Sequence, residues 1–149
     1  MSTRSLIAIK EGTSYRSIYC HSDGYPSHVG RILQEHYTDD DKIKKLIALG
    51  GLSVLDREIG TKHGFGERPE GECTVYNRDR GDDLHIGVHN SEKDLFESFK
   101  ESWCEWLYVW QDGKWYCLST YDHDSGTLRP LHVEAEEEAC EHQRTILNG

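Results

Sequence analysis

The residues best placed to do chemistry lie together in one stretch, Tyr19-Cys20-His21-Ser22-Asp23-Gly24-Tyr25-Pro26-Ser27-His28-Val29-Gly30. Asp23-Gly24 is a turn signal, because glycine enters positive φ without steric cost. Pro26 suits the first turn of a helix, where its missing N–H would have no partner anyway. A helix start leaves backbone N–H groups unpaired and carries partial positive charge, so it can receive an oxyanion. Arg4, Arg16 and Arg31 are close enough in sequence to gather near it. Tyrosine can stack on a base and arginine can pair bidentately with phosphate. Arg4, Arg16, Tyr25, Ser27, His28 and Arg31 therefore form a candidate anion or nucleotide site. The plainer alternative is a strand-to-helix turn in which Tyr25 and Pro26 staple the helix to a sheet. No Walker lysine or G-x-G-x-x-G is present, so a triphosphatase or dinucleotide fold is unsupported.

Other chemistries have less to stand on. Nine histidines invite a metal site, but no pair has the spacing of a zinc protease, zinc finger or deaminase. His85 and His89 would share a strand face, with no third ligand implied. No nucleophile elbow or cysteine-protease context surrounds any Ser or Cys. Cys20 and His21 are neighbours in a strand, and strand neighbours point to opposite faces. We expect no catalysis, no required metal and no cofactor. The five cysteines are odd in number and lack C-x-x-C spacing, which reads as reduced thiols acting as small buried hydrophobes.

With 149 residues, 36% of them hydrophobic, the chain can bury a core as one domain. We place an α+β domain at residues 1–132 and an acidic, helical tail at 133–149. The net charge of −10 repels nucleic acid, so none is expected to bind directly. The same charge suits docking onto a protein surface that normally holds nucleic acid. Asp39, Asp40, Asp41, Glu134, Glu136, Glu137, Glu138 and Glu141 are the candidate interface acids. No apolar run approaches the roughly 20 residues of a spanning helix, and nothing resembles a signal peptide, which points to the cytoplasm and away from membranes.

The elements that must position these residues follow from periodicity. Leu6 to Ile9 and Tyr15 to His21 predict a hairpin turning at Gly12. A first helix is expected from Pro26 to Tyr37. A second is capped by Thr38, carries Asp39, Asp40 and Asp41 at the favourable end of its dipole, buries Ile43, Leu46 and Ile47, and stops at Gly50-Gly51. Lys42, Lys44 and Lys45 read as its solvated face. Gly60 to Gly71 reads as a long loop, and Asn77 to Asp83 as a polar turn between weak strands at 73–76 and 84–88. Asn90-Ser91 caps a third helix with Leu95, Phe96, Phe99 and Trp103 on its apolar side. Residues 103–110 alternate, with Trp103, Glu105, Leu107 and Val109 on one face, then turn at Asp112-Gly113 and return through Trp115 to Leu118. Large side chains on both faces make this hairpin central to the sheet. The expected fold is α+β: a mainly antiparallel sheet of about five strands, three main helices and an acidic C-terminal helix.

The opening Met1 to Ile9, the run Ser17 to Pro26, His36-Tyr37-Thr38-Asp39 and Leu46 to Gly50 together resemble a family of small bacteriophage and mobile-element proteins. The likeness covers about the first third of the chain. It implies a context, and no catalytic residue. Small acidic phage accessory proteins are often inhibitors of host defence, as anti-CRISPR proteins are, and others sequester cyclic-nucleotide immune signals. The resemblance thus implies a partner in the bacterial host's cytoplasm. That partner is either a defence effector protein met by the acidic surface, or a small phosphate-bearing ligand held at the Gly24 to Gly30 turn. A structural or regulatory phage role, with a homodimer among its forms, is the third expectation.

Overall fold

A computed structural model of the chain describes residues 3–120, 127–133 and 136. Two hairpins build the centre of the sheet. β1 (Ser5–Glu11) pairs antiparallel with β2 (Ser14–Cys20), and β6 (Trp106–Gln111) pairs antiparallel with β7 (Lys114–Ser119). The second hairpin turns through Asp112 and Gly113, both at positive φ (53° and 72°). Two such residues give the turn whose twist matches that of paired strands. β1 then lies parallel to β6, joining the hairpins through partners 101 residues apart in sequence, as Ser5 and Trp106 are.

The sheet is larger than the five strands expected. It also contains β3 (Leu52–Val54), β4 (Thr74–Val75), β5 (Gly87–His89) and β8 (Arg129–Pro130). The order is β4-β3-β2-β1-β6-β7-β8, with β5 sharing the outer edge of β2. Each is two or three residues long: β4 and β5 fall on the weak strands expected at 73–76 and 84–88, while β3 and β8 are too short for period-two alternation to mark them. Most pairings are antiparallel, but β1–β6 and β2–β3 are parallel, so the sheet is mixed.

Helices cover both faces. On one face lie a π-helical turn (Pro26–Gly30), α1 (Arg31–His36) and α2 (Asp40–Ala48). Val29, Leu33, Ile43, Leu46 and Ile47 pack there on Ile7, Ile9, Ile18, Tyr108 and Trp110. On the other face α4 (Glu92–Glu101) sets Leu95, Phe96 and Phe99 against Leu6, Ala8, Leu107 and Val109. Each such aliphatic side chain contributes about 1.5–3 kcal/mol when fully buried. Strand alternation on β1 and β6 divides the two cores.

Several local expectations need correction. The helix expected over Pro26–Tyr37 is two elements, because Tyr25 and Asp23 carbonyls draw the first turn wide. Asp39, not Thr38, caps α2, its carboxylate accepting from the Lys42 N–H at 3.2 Å. Lys42 is not on a solvated face: its ammonium donates to the His36 and Arg57 carbonyls and lies over the Tyr37 ring. The polar turn after β4 is a short helix, α3 (Tyr76–Arg80). Trp103 belongs to neither α4 nor β6. It sits in the left-handed region (φ 65°) and is 85% exposed. That kink shifts the alternation, so Cys104 joins the face of Leu107, opposite to the phase expected. The buried Leu131 and Val133 extend the first core toward the tail, and Val133 and Glu136 are helical. Otherwise the acidic helix expected over 133–149 falls outside the described residues.

Candidate functional site

The turn after β2 is built by backbone hydrogen bonds. Asp23, not Gly24, takes the positive φ (53°). Gly24 is required for a different reason: a Cβ there would lie 2.8 Å from Ser5 Cβ and 2.9 Å from the Thr3 carbonyl. The Gly24 N–H donates to Thr3 O at 2.8 Å, and Tyr108 O–H donates to Gly24 O at 2.8 Å. The N–H groups that would cradle an oxyanion are already engaged. His28 donates to Tyr25 O, Val29 to Asp23 O and Gly30 to Tyr25 O.

The six residues of that candidate site are only partly brought together. Tyr25, Ser27 and His28 share the turn, with the Tyr25 and His28 rings 6.1 Å apart. Arg31 follows on α1 and faces Glu35 at 3.6 Å. Arg4 precedes β1 and stays exposed. Arg16 is four residues back along β2 from Cys20, roughly 13 Å at strand rise, and is ion-paired to Glu11. It does not join the turn.

Among the candidate interface acids, Asp39, Asp40 and Asp41 are exposed at the start of α2. One Asp40 oxygen accepts the Trp110 indole N–H. Glu136 is a correction. It is only 6% exposed, and the Arg129 guanidinium grips both its oxygens at 2.6 and 2.7 Å. A buried, neutralised carboxylate offers a partner nothing. Glu134, Glu137, Glu138 and Glu141 lie outside the described residues.

A different site emerges at the tip of the β6–β7 hairpin. Its two-residue turn puts Trp110 opposite Trp115, their rings tilted by 58° with centroids 5.4 Å apart. The connection from α1 to α2 fixes both indoles: Trp115 N–H donates to Tyr37 O at 2.8 Å, and Trp110 N–H to Asp40. The segment after β8 closes the side, with Leu131 N–H on Trp115 O and the Gln34 amide on Leu131 O. Between these parts lies a cleft of about 500 Å³, with Trp110, Trp115, Leu131 and Pro130 as apolar walls. Gln34, Thr38, Lys114 and His132 supply its polar groups, and among the described residues no acid lines it. That is notable in a chain with 27 acids. A second cleft of about 300 Å³ adjoins it, sharing Trp110 and Gly113. The second cleft is mostly polar, lined by Lys10, Glu11, Asp40, Lys44 and Asp112; the first, with apolar walls and a few polar groups, is of a size that suits a small molecule.

Two further polar clusters are structural. The Asp79 side chain is fully buried and accepts from Val75 N–H (2.8 Å), His63 N–H (3.1 Å) and the Arg78 guanidinium (2.9 Å). Burial pushes its carboxyl up, but the Arg78, Val75 and His63 hydrogen bonds outweigh that and hold it below the ordinary range. His63 puts one ring nitrogen on Cys73 O at 3.0 Å and the other on Gly64 O at 2.8 Å. Two carbonyl acceptors require two N–H donors, so the Cys73 and Gly64 carbonyls raise its pKa. Ser17 and His89 share a 2.8 Å hydrogen bond between β2 and β5. Burial lowers the His89 pKa, against the charge of Asp94. Among the described residues no three His, Cys, Asp or Glu side chains are placed to hold a metal ion, and no helix is long and apolar enough to cross a membrane.

The two histidines should act on stability with opposite signs. The His63 contribution is full below about pH 6.5, the unfolded value, and is lost as pH rises through the folded pKa. For His89 the folded pKa is depressed, so its contribution is full above about pH 6.5 and is lost as pH falls through the folded pKa. Ring-proton NMR titration should find His63 titrating above, and His89 below, a histidine in the unfolded chain.

No protein-family model, curated protein or solved structure matches the chain. The tryptophan cleft thus rests on its own geometry. One sequence signal could have found part of it: an Asp-Gly turn fixes Gln111 opposite Lys114 and therefore Trp110 opposite Trp115. Gln34, Thr38, Leu131 and His132 come from separate segments and carry no such signal.

Proposed function

We propose that this chain is a non-enzymatic binding protein of the phage accessory type, acting in the host cytoplasm by capturing a small phosphate-bearing ring compound in the tryptophan cleft. The observation that carries this reading is a cleft of tryptophan, lysine and histidine that no acid lines among the described residues of so acidic a chain. A ring seated against the edges of Trp110, Trp115, Leu131 and Pro130 would bury apolar surface worth about 25 cal/mol per Å². Lys114 at the mouth can meet a phosphate, a charge-assisted contact of about 1.5–3 kcal/mol. Gln34, Thr38 and His132 offer hydrogen bonds to sugar or ring edges.

The test is calorimetric titration with AMP as probe, on the native chain and on Lys114→Glu. Lys114 is exposed on the hairpin tip, so the substitution should leave the fold intact. Charge reversal should weaken binding roughly tenfold or more. Heat of binding that Lys114→Glu leaves unaltered would remove the cleft from consideration.

One observation favours a second reading, engagement of a host effector protein. Trp103 projects into solvent from a backbone conformation that bulky residues rarely adopt. Exposed tryptophans are frequent anchors of protein interfaces. Asp39 and Asp41 remain exposed to contribute charge.

A further inference from the structure

We infer that residues 61–67 form a proton-controlled strap: the His63 imidazolium holds Phe65 on Tyr76 and Arg80, and loss of its proton releases that ring. Thr61, Lys62, Gly64, Gly66 and Glu67 are exposed, so few bonds among the described residues tie the strap down. Thr61 N–H donates to Glu72 Oε1 at 3.1 Å, and His63 N–H to Asp79 Oδ1 at 3.1 Å. The His63 ring donates to Cys73 O. The Phe65 ring lies on Tyr76 with centroids 5.7 Å apart, and the Arg80 guanidinium covers both rings at 4.6 and 4.9 Å. None of these residues lines the tryptophan cleft.

Both ring nitrogens need a proton, because Nε2 lies 3.0 Å from Cys73 O and Nδ1 lies 2.8 Å from Gly64 O. The charged groups facing the ring are Asp79, 3.4 Å from Nε2, and Arg78, both on α3. Asp79 is held below the ordinary carboxyl range and stays ionised where histidine titrates, and arginine does not titrate at all. Burial pushes the Cys73 thiol up, so it stays neutral there. His63 is therefore the group that changes charge. As pH rises through its pKa, which the Cys73 and Gly64 carbonyls raise, the remaining proton stays on Nε2, between Cys73 O and the Asp79 carboxylate. Nδ1 then turns a lone pair on the Gly64 oxygen at hydrogen-bond distance, and the two repel. The Gly64 carbonyl shares a planar peptide with Phe65, so turning it away swings Phe65 as well. Gly64 and Gly66 on either side give the backbone the freedom to do so. Glu67 N–H, which donates to Gly64 O at 2.9 Å, loses its acceptor in the same movement. The open strap uncovers the Tyr76 ring and the Arg80 guanidinium.

The experiment follows the Phe65–Tyr76 ring NOE and the exchange of the Glu67 amide, corrected for its intrinsic pH dependence, from about pH 5 to about pH 9. Ring 15N shifts give the His63 midpoint in the same samples. The strap predicts that the NOE fades, and that Glu67 loses about tenfold or more of its protection, with that midpoint. In His63→Gln, checked for folding by circular dichroism, neither signal should depend on pH. An NOE and a protection factor that persist once His63 has lost its proton would overturn the strap, and so would the same pH response in His63→Gln. If that variant does not fold, the native chain decides alone: strap and His63 midpoints more than about one pH unit apart overturn the inference, and coincident ones support it.

Discussion

Asp79→Ala should destabilise the protein by about 3–5 kcal/mol in urea denaturation, the cost of removing one partner from a buried ion pair. The carboxylate gathers the Val75 and His63 N–H groups and the Arg78 guanidinium, while Arg78 also donates to the Ile59 and Cys73 carbonyls. Alanine would leave a guanidinium without its counter-charge and two buried donors without acceptors. The long segment between β3 and β4, tied down by His63 and Arg78, should lose hydrogen-exchange protection first. The pH dependence has a defined sign. Because the folded Asp79 pKa is lowered, its stabilisation is present above about pH 3.9 and is lost as pH falls through the folded value. The alanine variant should lack that acid-side loss. An effect below 1 kcal/mol would show that the cluster does not hold this segment.

Gly24→Ala should cost about 1–3 kcal/mol, as overpacking typically does. The new methyl meets Ser5 in the central strand and the Thr3 carbonyl, both at under 3 Å, and neither is the end of a flexible chain. Relief requires the turn to move off β1, which would stretch the Gly24 N–H to Thr3 bond and the Tyr108 bond to Gly24 O. Removing the Ser5 side chain in Gly24→Ala/Ser5→Gly should recover part of the loss, because one of the two obstacles disappears. A double-mutant cycle by thermal denaturation reads the coupling directly. Additive effects would mean the turn is not pressed against Ser5.

Much of the architecture was legible because local signals coincide with it. The Asp112-Gly113 hairpin, the apolar stripe of α2 and the Ser91 cap of α4 all stand where periodicity and capping put them. Ser91 accepts from Asp94 N–H at 3.1 Å, as an N-cap serine should. What was not legible depends on contacts distant in sequence. Nothing local states that β1 runs parallel to β6, or that β3 and β8 extend the sheet. The turn at Gly24 showed the right residue for an incomplete reason: the sequence signals a turn, but glycine is needed for close approach to Ser5 and Thr3. The arginines near it in sequence separate because a strand carries Arg16 away in a straight line. Glu136 reads as surface charge in a glutamate run, and only its partner Arg129, on the edge strand, explains its burial.

The most direct test follows the four indole N–H signals in a 15N–1H correlation spectrum during titration with AMP. The chain has four tryptophans, each in a different setting. Trp110 and Trp115 wall the cleft, Trp106 is buried in the first core, and Trp103 stands in solvent. Binding at the hairpin tip predicts saturable shifts of the Trp110 and Trp115 signals, with Trp103 and Trp106 in place. No shift at any indole, or a shift confined to Trp103, would contradict it.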